Sequence, residues 1–230
     1  MSVDSNPVIT RMNQLLSQWE TMQDRKLIFL TCYQMMTRNV LLAIENGEFE
    51  DGDWVRRLME NFADYYFRAL ESFEGRQPTT PEVWNIAFTA VQNPRINSLK
   101  NLVLGVNAHI NYDLVLALSD LLVDEWPTLT EDQRGLRYRD HCRINHVIHD
   151  TINAVQDGVI RRFDPEFSVL DKLMGPLDEW VTTLLISDWR EEVWNHAAAL
   201  LDSAQPEPRG SVLASVETTS LDRARVILGV

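Results

Sequence analysis

The stretch LVLGVNAHINYDLVLAL, residues 102–118, sets two asparagines, a histidine and an aspartate inside an otherwise almost wholly apolar run. On a wheel at about 100° per residue, its apolar side chains, among them Leu102, Val106, Ile110, Val115 and Leu118, point in many directions and form no single stripe. A helix without a polar face is surrounded by protein, so residues 96–125 are expected to form the buried centre of the fold. His109 and Asp113, four residues apart, share one face; Asn107 and Asn111 form a second such pair, pointing roughly the opposite way. Each pair needs buried partners, because an unpaired buried amide costs about 1–3 kcal/mol and an unpaired buried charge more.

Working outward, nearly every segment repeats apolar residues at three-to-four-residue spacing, and no run alternates as a strand would. The expected fold class is therefore all-α, a compact multi-helix bundle around the central helix. Pro7 opens a first helix to about residue 22, and Gly47 stops a second, 24–45. The turn EDGDW caps a third, 53–73, which Gly75 ends; a short helix follows Pro81 and stops before Pro94. Beyond the central helix, a long helix is expected over 130–162, with Gly135 and Gly158 as the points at which it could be interrupted. Asp164-Pro165 restarts the chain, Gly175-Pro176 breaks or kinks the next helix, and another spans 189–203. The segment SAQPEPRGS reads as an exposed linker, so residues 1–203 are expected to form one domain and 204–230 a linker with a C-terminal helical appendage over 219–228.

Composition narrows the function. At 230 residues and 45% hydrophobic content the chain can build a proper core. A net charge of −13, from 34 acidic and 21 basic residues, argues against nucleic acid as a partner, since phosphate binding needs clustered Lys and Arg. The N-terminus lacks a secretory pattern and no apolar run approaches the ~20 residues of a membrane span, so a cytoplasmic protein is expected. Two widely spaced cysteines, Cys32 and Cys142, make neither a disulfide framework nor a zinc pattern.

The chemistry-bearing candidates cluster around the central helix. A carboxylate and an imidazole on one helical face serve as an acid/base couple or as metal ligands, which makes His109 and Asp113 the expected catalytic pair, with Asn107 and Asn111 as holders of a substrate oxygen. In RYRDHCRINHVIHD, Asp140 and His141 fall at the edges of the apolar face and Asn145 just outside it, so all three can reach inward. Asp140 and His141 would join His109 and Asp113 if a divalent metal such as zinc binds. His146, His149 and Asp150 fall on the solvated side. Tyr65 and Tyr66, with Trp54, Trp84 and Phe88 nearby in pattern, offer hydroxyl handles in an apolar pocket. Arg38, Arg56, Arg57, Arg68 and Arg190 lie beside apolar faces, and a buried one could pair with Asp113 or Asp140, which would make the site a structural ion-pair network.

Three features, GVNAHINYDL, the combination of GEFED with FADYYFRAL, and Asp140 with Asn145, resemble a family of microbial proteins defined as a domain of unknown function. The resemblance covers residues 27–201, and Asn107, Ala108, His109, Ile110, Asn111, Asp113 and Leu114 fit its N-A-H-I-N-x-D-L signature in full. It implies a compact helical fold and carries no reaction. A looser similarity links the HxxxD of His109 and Asp113 to the helical zinc-dependent phospholipase C and nuclease group, whose further ligands and N-terminal metal ligand have no counterpart in this sequence. The expected function is an enzyme acting on a small, largely apolar molecule, either by metal-bound water or by metal-free acid/base lyase, cyclase or isomerase chemistry. The alternative is a non-catalytic helical binding protein in which the same residues only fix the packing.

Overall fold

The computed structural model describes residues 3–75, 79–155, 177–203 and 206–229, which among them form helices and no strand. The expected all-α bundle is the observed fold. In chain order the helices are α1 (Pro7–Met22), α2 (Leu27–Glu45), α3 (Gly52–Phe73), α4 (Glu82–Gln92), α5 (Ser98–Leu122), α6 (Glu131–Val155), α7 (Leu177–Asp202) and α8 (Pro206–Leu228). Their ends follow local chemistry. The Asn6 side chain accepts from Val8 N–H ahead of Pro7, Asp51 from Trp54 N–H, and Asn97 from Lys100 N–H, each satisfying a backbone donor the helix leaves open. Gly47 and Gly75 take the positive φ that turns the chain away from α2 and α3.

α5 is the axis. It packs against α2, α3, α4, α7 and α8, and most of its residues are buried. By length and composition α2 and α5 could each cross a membrane, but 78% of the α5 window and 56% of the α2 window lie buried inside the fold, and enclosure by protein accounts for that composition. One apolar cluster joins α1, α2, α4 and the first half of α5; a second joins the second half of α5 to the start of α3, α6, α7 and α8. The polar stretch lies where the two clusters meet.

Two boundaries differ from the sequence reading. α7 runs unbroken from Leu177, upstream of the expected start at 189, and α8 begins at Pro206, where a proline in the first helical turn costs no hydrogen bond. The C-terminal segment expected as an appendage packs on α4, α5 and α7, with Val216, Ser220 and Ala224 fully buried. The expected continuation of α6 to 162, with its Gly158 interruption, the restart at Asp164-Pro165 and the break at Gly175-Pro176 lie outside the described residues.

Gly105 sets how closely α5 approaches α2. A β-carbon there would sit 2.6 and 2.7 Å from the Phe29 ring and 3.1 Å from its own β-carbon, and Phe29 is held in a wall of aromatic rings. Gly105→Ala should therefore lower stability by about 1–2 kcal/mol in urea unfolding despite the roughly 1 kcal/mol of helix propensity that alanine adds. A variant as stable as the wild type would show that the Phe29 contact is slack.

Candidate functional site

Within α5, residues Ala108–Asp113 leave the α-helical pattern and wind as a π-helix, the Leu114 N–H reaching back to the His109 carbonyl. This wider i→i+5 turn sets residues four apart more nearly above one another than an α-helix does, and such segments recur at functional sites. Both polar pairs foreseen in the sequence lie on it. His109 Nδ1 is 2.9 Å from Asp113 Oδ2, and Asn111 Nδ2 donates to Asn107 Oδ1 at 2.9 Å.

The two pairs do different work. Asn107 Nδ2 donates to the Ser220 carbonyl at 2.9 Å, and Arg223 Nη1 donates to Asn111 Oδ1 at 2.8 Å. This ladder fastens α8 to the centre of the fold, so the amides are occupied as structural ties and neither borders the cavity described below. On the other side, Asp113 Oδ2 also accepts from Trp84 Nε1 at 2.9 Å, so α4 supplies a second donor to the same oxygen. With Asp113 as the carboxylate to which Trp84 donates, Oδ2 is the acceptor for the ring as well, which places the His109 proton on Nδ1. His109 Nε2 is then a bare lone pair, buried and without a hydrogen-bond partner.

Aromatic rings surround this imidazole. Phe62 stacks on it at 3.6 Å between centroids and 7° between planes, while Tyr33 meets it edge-on at 4.4 Å. His109 and Asp113 are only 3% and 1% exposed. Burial holds the His109 pKa well below the usual histidine range, so the resting ring is neutral. Burial also pushes Asp113 well above the usual carboxylate range, opposed by the Trp84 hydrogen bond. Burial, with Asp113 nearby, raises Tyr33, which stays protonated.

His109 is one of the few polar residues lining a cavity of about 130 Å³. The remaining wall is mostly apolar, from α2, α3, α5, α6 and α7, with Phe62, Val106 and Ile148 among its residues. A void of this size accepts a benzene-sized molecule. Cys32 also lines it, its thiol pushed up to about 12 by burial and so unreactive as a nucleophile. The charged residue in the wall is Arg190 of α7, 3% exposed.

The other expected site residues sit elsewhere. Asp140 turns both carboxylate oxygens to the backbone N–H groups of Glu50 and Asp51, each at 2.8 Å, and thereby fixes the loop that enters α3. His141 Nε2 donates to the Arg190 carbonyl at 3.0 Å, and Arg190 Nη2 donates to the His141 carbonyl at 2.8 Å, clamping α6 to α7. Asn145 Oδ1 accepts from Arg190 Nε at 2.6 Å. Asp140 and His141 are thus not brought to His109 and Asp113, and among the described residues no three His, Cys, Asp or Glu side chains gather as a metal site. Tyr65 donates to Asp120 at 2.5 Å, and Tyr66 is buried in the aromatic wall; neither lines the cavity. Arg190 is the buried arginine, yet it pairs with neither Asp113 nor Asp140. Sequence reasoning missed Tyr33 and the donor role of Trp84; an indole N–H on an apolar helix face needs a buried acceptor, and that need was the available signal.

The family model for a family of unknown function, DUF5995, matches residues 5–230. The chain belongs to that family. The match takes in α1 and α8, which the sequence resemblance had left outside, in keeping with their place in the core. No curated protein and no solved structure matches the chain.

The buried histidines carry a pH dependence. His109 and His141 both have pKa values lowered well below the usual range, each by burial first, with the Arg190 charge adding to it at His141. As pH falls through about 6.5 the unfolded chain binds protons at both rings that the native state refuses, so stability falls on acidification. Asp113, with its raised pKa, acts with the opposite sign and offsets at most one of the two protons. Urea unfolding should show stability dropping from pH 7.5 to 5.5 by up to about 1.4 kcal/mol per pH unit for each excess proton, and His141→Gln should flatten the slope. Stability independent of pH over that range would contradict the assignment.

Proposed function

We propose that the protein is an enzyme of small-molecule metabolism in which His109 Nε2 acts as a general base, and as an acid once it has taken a proton, on a largely apolar substrate held in the cavity. The observation that carries this reading is the unpartnered, buried Nε2 of a histidine that borders a void and whose other ring nitrogen is fixed by Asp113. A purely structural histidine at the centre of a core would be expected to use both nitrogens. Asp113, itself held by Trp84, keeps the ring in the Nδ1–H tautomer and offsets the positive charge that develops when Nε2 takes a proton. Phe62 holds the plane of the ring.

Metal-free acid/base chemistry of lyase, cyclase or isomerase type suits this arrangement better than hydrolysis by metal-bound water, because the described groups around the His109 ring are aromatic rings and one aspartate, which sits on the Nδ1 side and is already shared with Trp84. Cys32 and Cys142 are both free thiols, in keeping with a reducing, cytoplasmic setting.

The test is turnover. Purified protein is incubated with a fractionated microbial metabolite extract, and mass spectrometry follows which compounds are consumed by the wild type and by His109→Gln. The reading predicts a wild-type conversion that falls at least about 100-fold in the variant, with the variant's melting temperature within a few degrees of wild type. A conversion unaffected by the substitution, or compounds retained by the protein but never altered, would replace the enzyme reading with that of a binding protein.

A further inference from the structure

Among the described residues the Arg190 guanidinium is a buried cation with no anion beside it. Its Nε donates to Asn145 and its Nη2 to the His141 carbonyl, both neutral acceptors, with His141 Nδ1 3.4 Å from the same Nη2. Among the described residues no carboxylate forms an ion pair with it, and none accepts a hydrogen bond from Nη1. Burial alone lowers its pKa to about 10, so it stays charged at neutral pH. A charge taken out of water is rarely left without a counter-charge, since neutral dipoles recover only part of the lost hydration. Arg190 also lines the cavity whose other walls are mostly apolar.

The placement is built. Asn145 and the His141 backbone hold the guanidinium from α6, and the Arg190 carbonyl in turn receives His141 Nε2, so the side chain is fixed before any ligand arrives. The planar fork of an arginine matches a carboxylate, and a positive wall in an apolar void selects a ligand with one anionic end and an apolar body.

We propose that the cavity binds a small organic monocarboxylate, its carboxylate at Arg190 and its apolar part among the aromatic and aliphatic walls beside His109. This inference shares with the proposed function the premise that the cavity is a ligand site, and does not depend on His109 acting as a base. The volume accommodates a body of about the size of a benzene ring or a short aliphatic chain.

The experiment titrates the full chain with benzoate and hexanoate and, in parallel, with the uncharged benzamide and hexanamide, by calorimetry and by shifts of the Val, Leu and Ile methyl signals. The expected result is that each acid binds at least ten-fold more tightly than its amide, that Arg190→Met abolishes the difference, and that His109→Gln leaves it intact. Should Arg190→Met fail to fold, the wild-type comparison of acid with amide still decides. Equal affinity for acid and amide would overturn the anion assignment while leaving the cavity and the catalytic reading standing. Failure of all four to shift any cavity methyl would overturn both.

Discussion

The hydrogen bond between His109 and Asp113, held away from water on a π-helical turn, is the constraint around which the bundle is arranged. Two polar groups at the centre of an apolar core must be met by protein, and each neighbouring helix can be assigned a part in meeting them. α4 brings the Trp84 N–H to the carboxylate, α2 brings Phe29 and Tyr33 to the ring edge, and α3 brings Phe62 to its face. The close approach of α2 that Gly105 permits belongs to the same arrangement. On the imidazole these helices leave Nε2 unmet, and the cavity lies beside that ring.

One helix thus carries two polar pairs with opposite consequences. The asparagine ladder is closed: every strong bond it offers ends on Ser220 or Arg223, and the result is a C-terminal helix sewn into the core. The dyad is open at one end. Arg190 repeats the pattern on the facing helices, a buried charge positioned by Asn145 and His141 and left without a counter-charge among the described residues. Unmet polar groups lower stability, and their gathering around one void is what supports the proposed reading of a site there.

Much of this was legible beforehand because it depends on periodicity and residue type. The central helix, its lack of a polar face, the opposition of the two pairs and the stops at Gly47 and Gly75 all follow from spacing. The π-helical turn was not legible, since a shift in backbone hydrogen bonding leaves no mark in residue identity. Asp140 and His141 do reach inward, as their position at the edge of the apolar face implied. A helical face says only that a side chain turns inward, not what waits there, and what waits is backbone: the N–H groups of Glu50 and Asp51 for one, the Arg190 carbonyl for the other. The same limit hid the role of Trp84, whose partner lies 29 residues away. Arg190 departs from the ion pair that a buried arginine could have made, since among the described residues its hydrogen-bond partners are Asn145 and His141, both neutral.

The most direct measurement is the nitrogen NMR spectrum of the His109 ring in the wild-type protein, assigned by comparison with His109→Gln. A neutral imidazole with the proton on Nδ1 and an unprotonated Nε2, unchanged between pH 8 and about 5.5, is what the geometry requires. An imidazolium forming near pH 6.5, or a neutral ring protonated on Nε2, would mean that the atom beside the cavity is not a base and that the pair has another purpose.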